Sequence, residues 1–287
     1  DLHENYPAML DVTLKVPLHQ ISSLGSLASR FLVSVSRWST YEASTVPQAQ
    51  RVIAVIEEAR DRLVAMGVPA EHVSVVSNYA TLDKVDDPQV ETTHSGRHDE
   101  TRLSAVYAGG FGPTRDLVTV LEAVKILPAE VRAKIDVTLI GGMGKTLAQL
   151  QRHAAELGIE ENVSLLPWLP RPEAEQLMLE ADVGLVPHVK NAHTDATVPH
   201  KLFQYMWRRL PVIVSDCAPL ERIVREAECG LVYPSGDSQA LASCLAKMHG
   251  LNDRAGSMGD AGHNAVVQQY NWDKAGEVLL EVYRGLA

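Results

Sequence analysis

The sequence predicts an α/β protein whose strands run parallel in sheets covered on both faces. Three observations carry that prediction. From about Leu103 onward, short β-branched apolar runs alternate with longer segments. The runs are apolar almost throughout, the pattern of strands buried on both faces. The segments between them space apolar residues three and four apart, as amphipathic helices do.

The elements follow in order. Arg51–Ile56 reads as a strand and Glu57–Met66 as a helix closed by Gly67, the residue type favoured just past a helix end. Val73–Ser77 is a second strand, followed by Asn78. The polar stretch 86–101, with Pro88 and Gly96, reads as an interdomain linker. Ser104–Tyr107 is the next strand. Leu117, Val120, Leu121 and Val124 mark the helix after it. A strand at Val137–Ile140 leads into a helix through about Leu157. Strands at Val163–Leu166, Val183–Val186, Val212–Ser215 and Gly230–Tyr233 complete the second part, with helices at Ala174–Glu180 and Lys201–Arg208 among the connections. Such a doubly wound unit places its ligand crevice at the carboxyl ends of the strands. The final segment, Trp272–Leu286, puts Trp272, Ala275, Leu279, Val282 and Leu286 on one face.

Composition narrows the function. The 287 residues suffice for two domains. With 46% hydrophobic and 22% charged residues, the chain is an ordinary globular one. No apolar run approaches the roughly 18–20 residues that span a bilayer. A formal charge of −10 argues against nucleic acid as a partner, because phosphate backbones are held by clustered Lys and Arg. Cys217, Cys229 and Cys244 are widely spaced and odd in number, which points to a reducing, cytoplasmic compartment rather than a disulfide framework. Cys244 shares a helical face with Leu241, Leu245 and Met248 and reads as core. Asp1–Glu4 reads like the end of a strand entering a loop, and the expectation is that sequence precedes Asp1.

Four runs, Val183–Pro187, Pro199–Met206, Leu210–Asp216 and Gly230–Asp237, resemble in order and spacing the donor half of glycosyltransferase family 4. Arg51–Val55 with Val73–Asn78 is similar to the last part of that family's acceptor half. The resemblance implies the GT-B fold: two Rossmann-like domains with parallel sheets, the first incomplete here. It sets expected domains at 1–95 (acceptor side), 96–271 (donor side) and 272–287 (a helix crossing back to the acceptor side). It implies a retaining transfer of a sugar from a nucleoside-diphosphate sugar to a sugar or lipid-linked acceptor, in polysaccharide or glycoconjugate synthesis. No metal or other cofactor is implied. Peripheral association with the inner face of a membrane, through the acceptor domain, is compatible with it.

The chain departs from the family pattern in four places. The paired glutamates of the family fall on Ala196 and Gln204. The serine that usually ends the acceptor-half strand falls on Ile56. The expected phosphate-binding arginine falls near Phe111, leaving Arg115 as the basic residue of that loop. The glycine-rich loop of the acceptor half is not in the chain.

Sugar transfer needs the departing diphosphate stabilised, which helix N-termini and basic side chains do. Pro199 suits the first turn of a helix, which places His200 and Lys201 in that turn. Cations there oppose the helix dipole, and an anionic ligand removes the conflict. Thr197 offers a hydroxyl, and the amides near Val198 lack intrahelical partners. Lys201 is otherwise a solvated lysine. Arg115, in the loop Gly109–Arg115, is either a second diphosphate ligand or a surface residue of a βα turn. Gln204, one turn beyond Lys201, is either a ribose ligand or a helix-face glutamine. By resemblance, Trp168 and Leu169 lie near the nucleotide base, with core packing the other reading for Trp168. His3 resembles the family histidine that faces the transferred sugar and is the one catalytic residue the resemblance implies.

Two motif-like features are declined. Gly141–Thr146 ends like a phosphate-binding P-loop but has two residues between its glycines where four are needed. His188, His193 and His200 with Asp195 lack the i, i+4 spacing of a zinc helix. Besides the transferase, two functions remain open at this point: a nucleotide-sugar epimerase of the same fold, and a non-catalytic or truncated nucleotide-sugar-binding module.

Overall fold

The structure, a computed structural model, describes residues 5–14, 34–79, 102–251 and 253–286. The chain divides into two units. The first comprises Asp1–Asn78, Asn191–Val198 and Trp272–Ala287, and the second Tyr79–Lys190 and Pro199–Asn271. His3, the 86–101 linker and the boundary expected at 95/96 lie outside the described residues.

In the first unit, α1 (Tyr6–Leu14), α2 (Val35–Thr45), β1 (Val52–Ala54), α3 (Glu57–Ala65) and β2 (Val73–Val75) follow in order. The strands pair in parallel, Val52 opposite Val73 and Ala54 opposite Val75. Val52, Ala54, Ile56, Leu63, Val68 and Val73 form a small apolar core. The pairing is shorter than the sequence predicts at both strands. Ile56 is already the extended residue that precedes α3. Gly67 adopts φ +107°, the left-handed region that favours glycine, and so closes α3. Helix α2 has no counterpart in the sequence reading because it has no apolar stripe. Its one buried residue is Glu42, which accepts a hydrogen bond of 3.1 Å from Arg62 on α3.

The second unit runs β3 (Leu103–Ala108), α4 (Leu117–Ile126), α5 (Ala129–Arg132), β4 (Ile135–Gly142), α6 (Gly144–Leu157), β5 (Val163–Pro167), α7 (Arg171–Leu179), β6 (Val183–Val186), α8 (His200–Trp207), β7 (Val212–Ser215), α9 (Ala218–Glu226), β8 (Gly230–Tyr233), α10 (Ser238–Gly250) and α11 (Asp253–Gln268). Its six strands lie in the order β5-β4-β3-β6-β7-β8, and every pairing is parallel. The fold class is therefore α/β with parallel sheets, as the apolar strand pattern predicts. Leu103, Tyr107, Leu121, Leu139, Leu185, Ile213, Tyr233 and Leu245 belong to one buried core. Cys244 packs against it.

The strand order reverses direction between β3 and β6, and their carboxyl ends form the switch point where open α/β sheets bind ligands. The loops leaving these two strands are joined by backbone hydrogen bonds. Asp116 N–H donates to Pro187 C=O at 2.7 Å, and Val189 N–H to Thr114 C=O at 3.0 Å. Gly141, at the end of β4, has φ +118°, and a Cβ there would lie 2.3 Å from the Gly109 carbonyl oxygen. Gly141–Thr146 is thus a strand-to-helix turn that lets two backbones approach.

The last helix, α12 (Trp272–Arg284), buries Ala275 and Val282. Leu286 lies beyond its end and is half exposed, so the predicted apolar face is one turn too long.

Candidate functional site

Helix α8 carries the residues of interest, and its anchoring explains their placement. Pro199 precedes it in extended conformation, and the first turn contains no acid. Tyr205, fully buried, lies over β6 at Gly184, where a Cβ would fall 2.5 Å from its ring. Its hydroxyl accepts a 2.9 Å hydrogen bond from the Ala108 N–H at the end of β3. Lys201 is one helical turn before Tyr205 and shares its face. The contact that fixes Tyr205 on the switch point therefore aims Lys201 at the loop after β3.

Lys201 is 9% exposed, so the solvated-lysine reading is replaced by a buried amine. Burying it took the α8–β3 contact, which no local pattern encodes. Its Nζ lies 3.6 Å from the centre of the Tyr107 ring. A Cβ on Gly109 would stand 2.5 Å from that nitrogen, so the end of the lysine lies against the glycine backbone. The nitrogen has no hydrogen-bond partner among the described residues. Burial, with the Arg115 guanidinium nearby, holds the Lys201 pKa well below the usual lysine range. Two cations thus share one corner of the switch point.

Arg115 is partly buried, and its Nη1 donates to the Thr114 hydroxyl at 2.8 Å. Its backbone bridges that of His188. The reading of Arg115 as a residue of a simple surface turn gives way to a loop stitched to its neighbour. Tyr107 donates its hydroxyl proton to the Gly110 carbonyl at 2.8 Å. Burial raises the Tyr107 pKa to about 12 against the opposing effect of Arg115, so it remains a neutral phenol. Sequence reasoning treated Tyr107 only as a strand residue. The signal was an aromatic just ahead of Gly109-Gly110, at the carboxyl end of the first strand of this sheet.

The other expected ligands are distributed as follows. His200 and Gln204 are exposed on α8. Trp168 is 63% exposed at the carboxyl end of β5, so its core-packing reading is corrected. It follows Pro167, and its N–H donates to the Gly142 carbonyl at 3.1 Å, which carries the chain outward. Leu169 is partly buried beside it. Thr197 and Val198 belong to the first unit. The Thr197 hydroxyl donates to the His193 carbonyl at 3.2 Å, and Val198 packs against the first unit's core. The structure thus gathers Arg115 and Lys201, leaves Thr197 and Val198 in the other unit, and does not describe His3. Ala196, the first of the two replaced acids, is buried. His188 is buried too, and its N–H donates to the Ser215 hydroxyl. The described residues contain no group of three metal-ligand side chains.

A doubly wound parallel sheet binds its ligands at the switch point, where Arg115 and Lys201 lie together. The particular family follows from the sequence model for glycosyl transferases group 1, which matches residues 90–265, more than half of the chain. The chain belongs to that family. It is 28% identical over 188 residues to the amylovoran biosynthesis glycosyltransferase AmsK of Erwinia amylovora, covering 65% of this chain and 44% of that protein. It is 26% identical over 252 residues to a D-inositol 3-phosphate glycosyltransferase of Thermobispora bispora, covering 84% and 57%. The chain therefore spans about half the length of the curated relatives it matches. Among solved structures, HepE of Anabaena in complex with UDP superposes with TM-score 0.66 at 15% identity, covering 83% of this chain and 64% of that one. Sucrose-phosphate synthase of Thermosynechococcus elongatus gives TM-score 0.72 at 18% identity, covering 93% and 64%. The fold is that of GT-B glycosyltransferases.

Proposed function

We propose that this chain is the nucleotide-sugar-binding part of a retaining glycosyltransferase that builds a polysaccharide or glycoconjugate. One observation carries the reading: the Lys201 side-chain nitrogen is buried with no hydrogen-bond partner among the described residues, beside Arg115, at the switch point. Burying like charges together is costly unless a counter-charge arrives, and the diphosphate of a sugar donor supplies one. As the glycosidic bond to the diphosphate breaks, negative charge grows on the leaving oxygens. Lys201 and Arg115, held in place before the reaction, stabilise that charge more than they stabilise the intact donor. Gln204, exposed on the same helix, serves the ribose, and Trp168 with Leu169 the base side. A solved structure of similar fold supports the donor class, since HepE was solved with UDP and with UDP-glucose. AmsK supports a polysaccharide product.

Lys201→Ala tests this directly. Loss of a charge-assisted hydrogen bond worth roughly 1.5–3 kcal/mol weakens diphosphate binding on the order of 10- to 150-fold. Binding of the free nucleoside, which has no phosphate, changes far less. Calorimetric titration with both ligands decides it. Equal weakening of both would place the anion site elsewhere.

A second reading rests on Ala196 and Gln204, which stand where the family has acids. It is a donor-binding module without transfer chemistry. Measurable donor hydrolysis would exclude it.

A further inference from the structure

Lys201 faces an unusual set of neighbours. The charged and titratable groups around its nitrogen are Tyr107 from β3 and Arg115 from the loop that follows. On its own helix, His200 precedes it, and Tyr205 directs its hydroxyl to Ala108. None of these is an acid. The Tyr107 ring is the group lying directly against the ammonium, 3.6 Å from the nitrogen. The same residue's hydroxyl donates to the Gly110 carbonyl. One fully buried side chain thus touches both Lys201 and the glycine loop after β3.

We propose that Tyr107 is the positioning residue of this anion site: its ring holds the Lys201 side chain in place and favours its charged form. The proposal rests on the reading of Lys201 as a diphosphate ligand. Its physical basis is the negative face of an aromatic ring, whose attraction for a cation is greatest where water is excluded. Burial and Arg115 both favour the neutral amine, and the ring opposes them. Without the ring, the balance moves further toward the neutral amine, and binding then includes more proton uptake. The cost of that uptake grows as pH rises.

The test is calorimetric titration with uridine 5′-diphosphate and guanosine 5′-diphosphate, at about pH 6 and about pH 8.5, on four proteins. These are the unaltered chain, Tyr107→Phe, Tyr107→Leu, and the chain with 3,4,5-trifluorophenylalanine at position 107. Tyr107→Phe keeps the ring and stays within roughly threefold at both pH values. Tyr107→Leu weakens binding roughly 10- to 30-fold at the higher pH and much less at the lower. The fluorinated ring keeps the shape but weakens the negative face, so it follows the leucine variant in pH dependence. If Tyr107→Leu does not fold, the phenylalanine and trifluorophenylalanine pair decides alone. A loss independent of pH, or a fluorinated ring that behaves like phenylalanine, overturns the proposal. Lys201→Ala separates the two readings. No effect of Lys201→Ala on diphosphate binding removes the site itself. A full effect, with Tyr107→Leu adding its whole loss on top, leaves the site standing and removes the role of Tyr107.

Discussion

Lys201 has opposite consequences for the empty and the occupied protein. Empty, it is a buried cation opposed by burial, by Arg115 and by the helix dipole. Lys201→Met keeps the stem and removes the charge, so it stabilises the ligand-free protein by roughly 1–3 kcal/mol, read as a rise in melting temperature. The pH dependence has a definite sign. The folded pKa lies below the ordinary lysine value of 10.5, so between the two the unfolded chain holds a proton that the folded chain does not. Stability of the unaltered protein therefore rises with pH through that window. The gap to Lys201→Met is widest at low pH and closes toward pH 10.5; a gap that widens with pH would contradict the assignment. Gln204 makes a second prediction at this scale. It is exposed on α8, so Gln204→Glu is tolerated, and a carboxylate accepts ribose hydroxyls better than an amide does. Donor titration checks it, and a clear loss of affinity would mean the amide donates a hydrogen bond instead.

At the scale of elements, the site depends on how α8 lies against the sheet. Tyr205 makes that contact through β6 and the end of β3, and Gly184 leaves the space for its ring. Gly184→Ala forces a methyl group to within 2.5 Å of a ring that is fully buried. Such overpacking costs about 1–3 kcal/mol. Because the ring and Lys201 share a helix, diphosphate binding weakens along with stability. Comparing melting and titration for Gly184→Ala tests the coupling, and a variant that melts early but binds normally would break it. The far side of α8 is held by Trp207, whose ring stacks on His263 of α11 with centroids 4.8 Å apart. His263 Nδ1 lies 2.7 Å from the Trp207 carbonyl oxygen.

For the whole molecule, the two units carry the next prediction. Arg115, Lys201 and Tyr107 all belong to the second unit. A diphosphate at 100 times its Kd stabilises the unit that binds it by about 2.7 kcal/mol. A chain of two units need not unfold in one transition. Scanning calorimetry with saturating diphosphate is expected to shift the transition of the second unit and leave the other in place. An equal shift of every transition would mean that the ligand reaches both units. No helix among the described residues is long and apolar enough to cross a membrane. The charge of −10 makes a cluster of basic side chains a local feature against the general field.

The sequence by itself determined the second unit. Its strands at Val183–Val186, Val212–Ser215 and Gly230–Tyr233 fall where the apolar runs place them, because a strand buried on both faces must be apolar throughout. The helix after Pro199 was equally legible, since proline and the spacing of Leu202, Phe203 and Met206 are local signals. Helix α2 was not, because a helix with one buried residue carries no periodic face. The site was half legible. Lys201 and Arg115 stood out as basic residues near glycine and proline. Their sharing of one corner did not, nor did the burial of Lys201 or the role of Tyr107. Those depend on β3, β6 and α8 converging from positions about 100 residues apart, as the Ala108 to Tyr205 bond records across 97. Local propensity specifies an element from its own residues. Burial and the cost of an unpaired charge belong to whatever the fold brings beside it, and only the tertiary structure decides that.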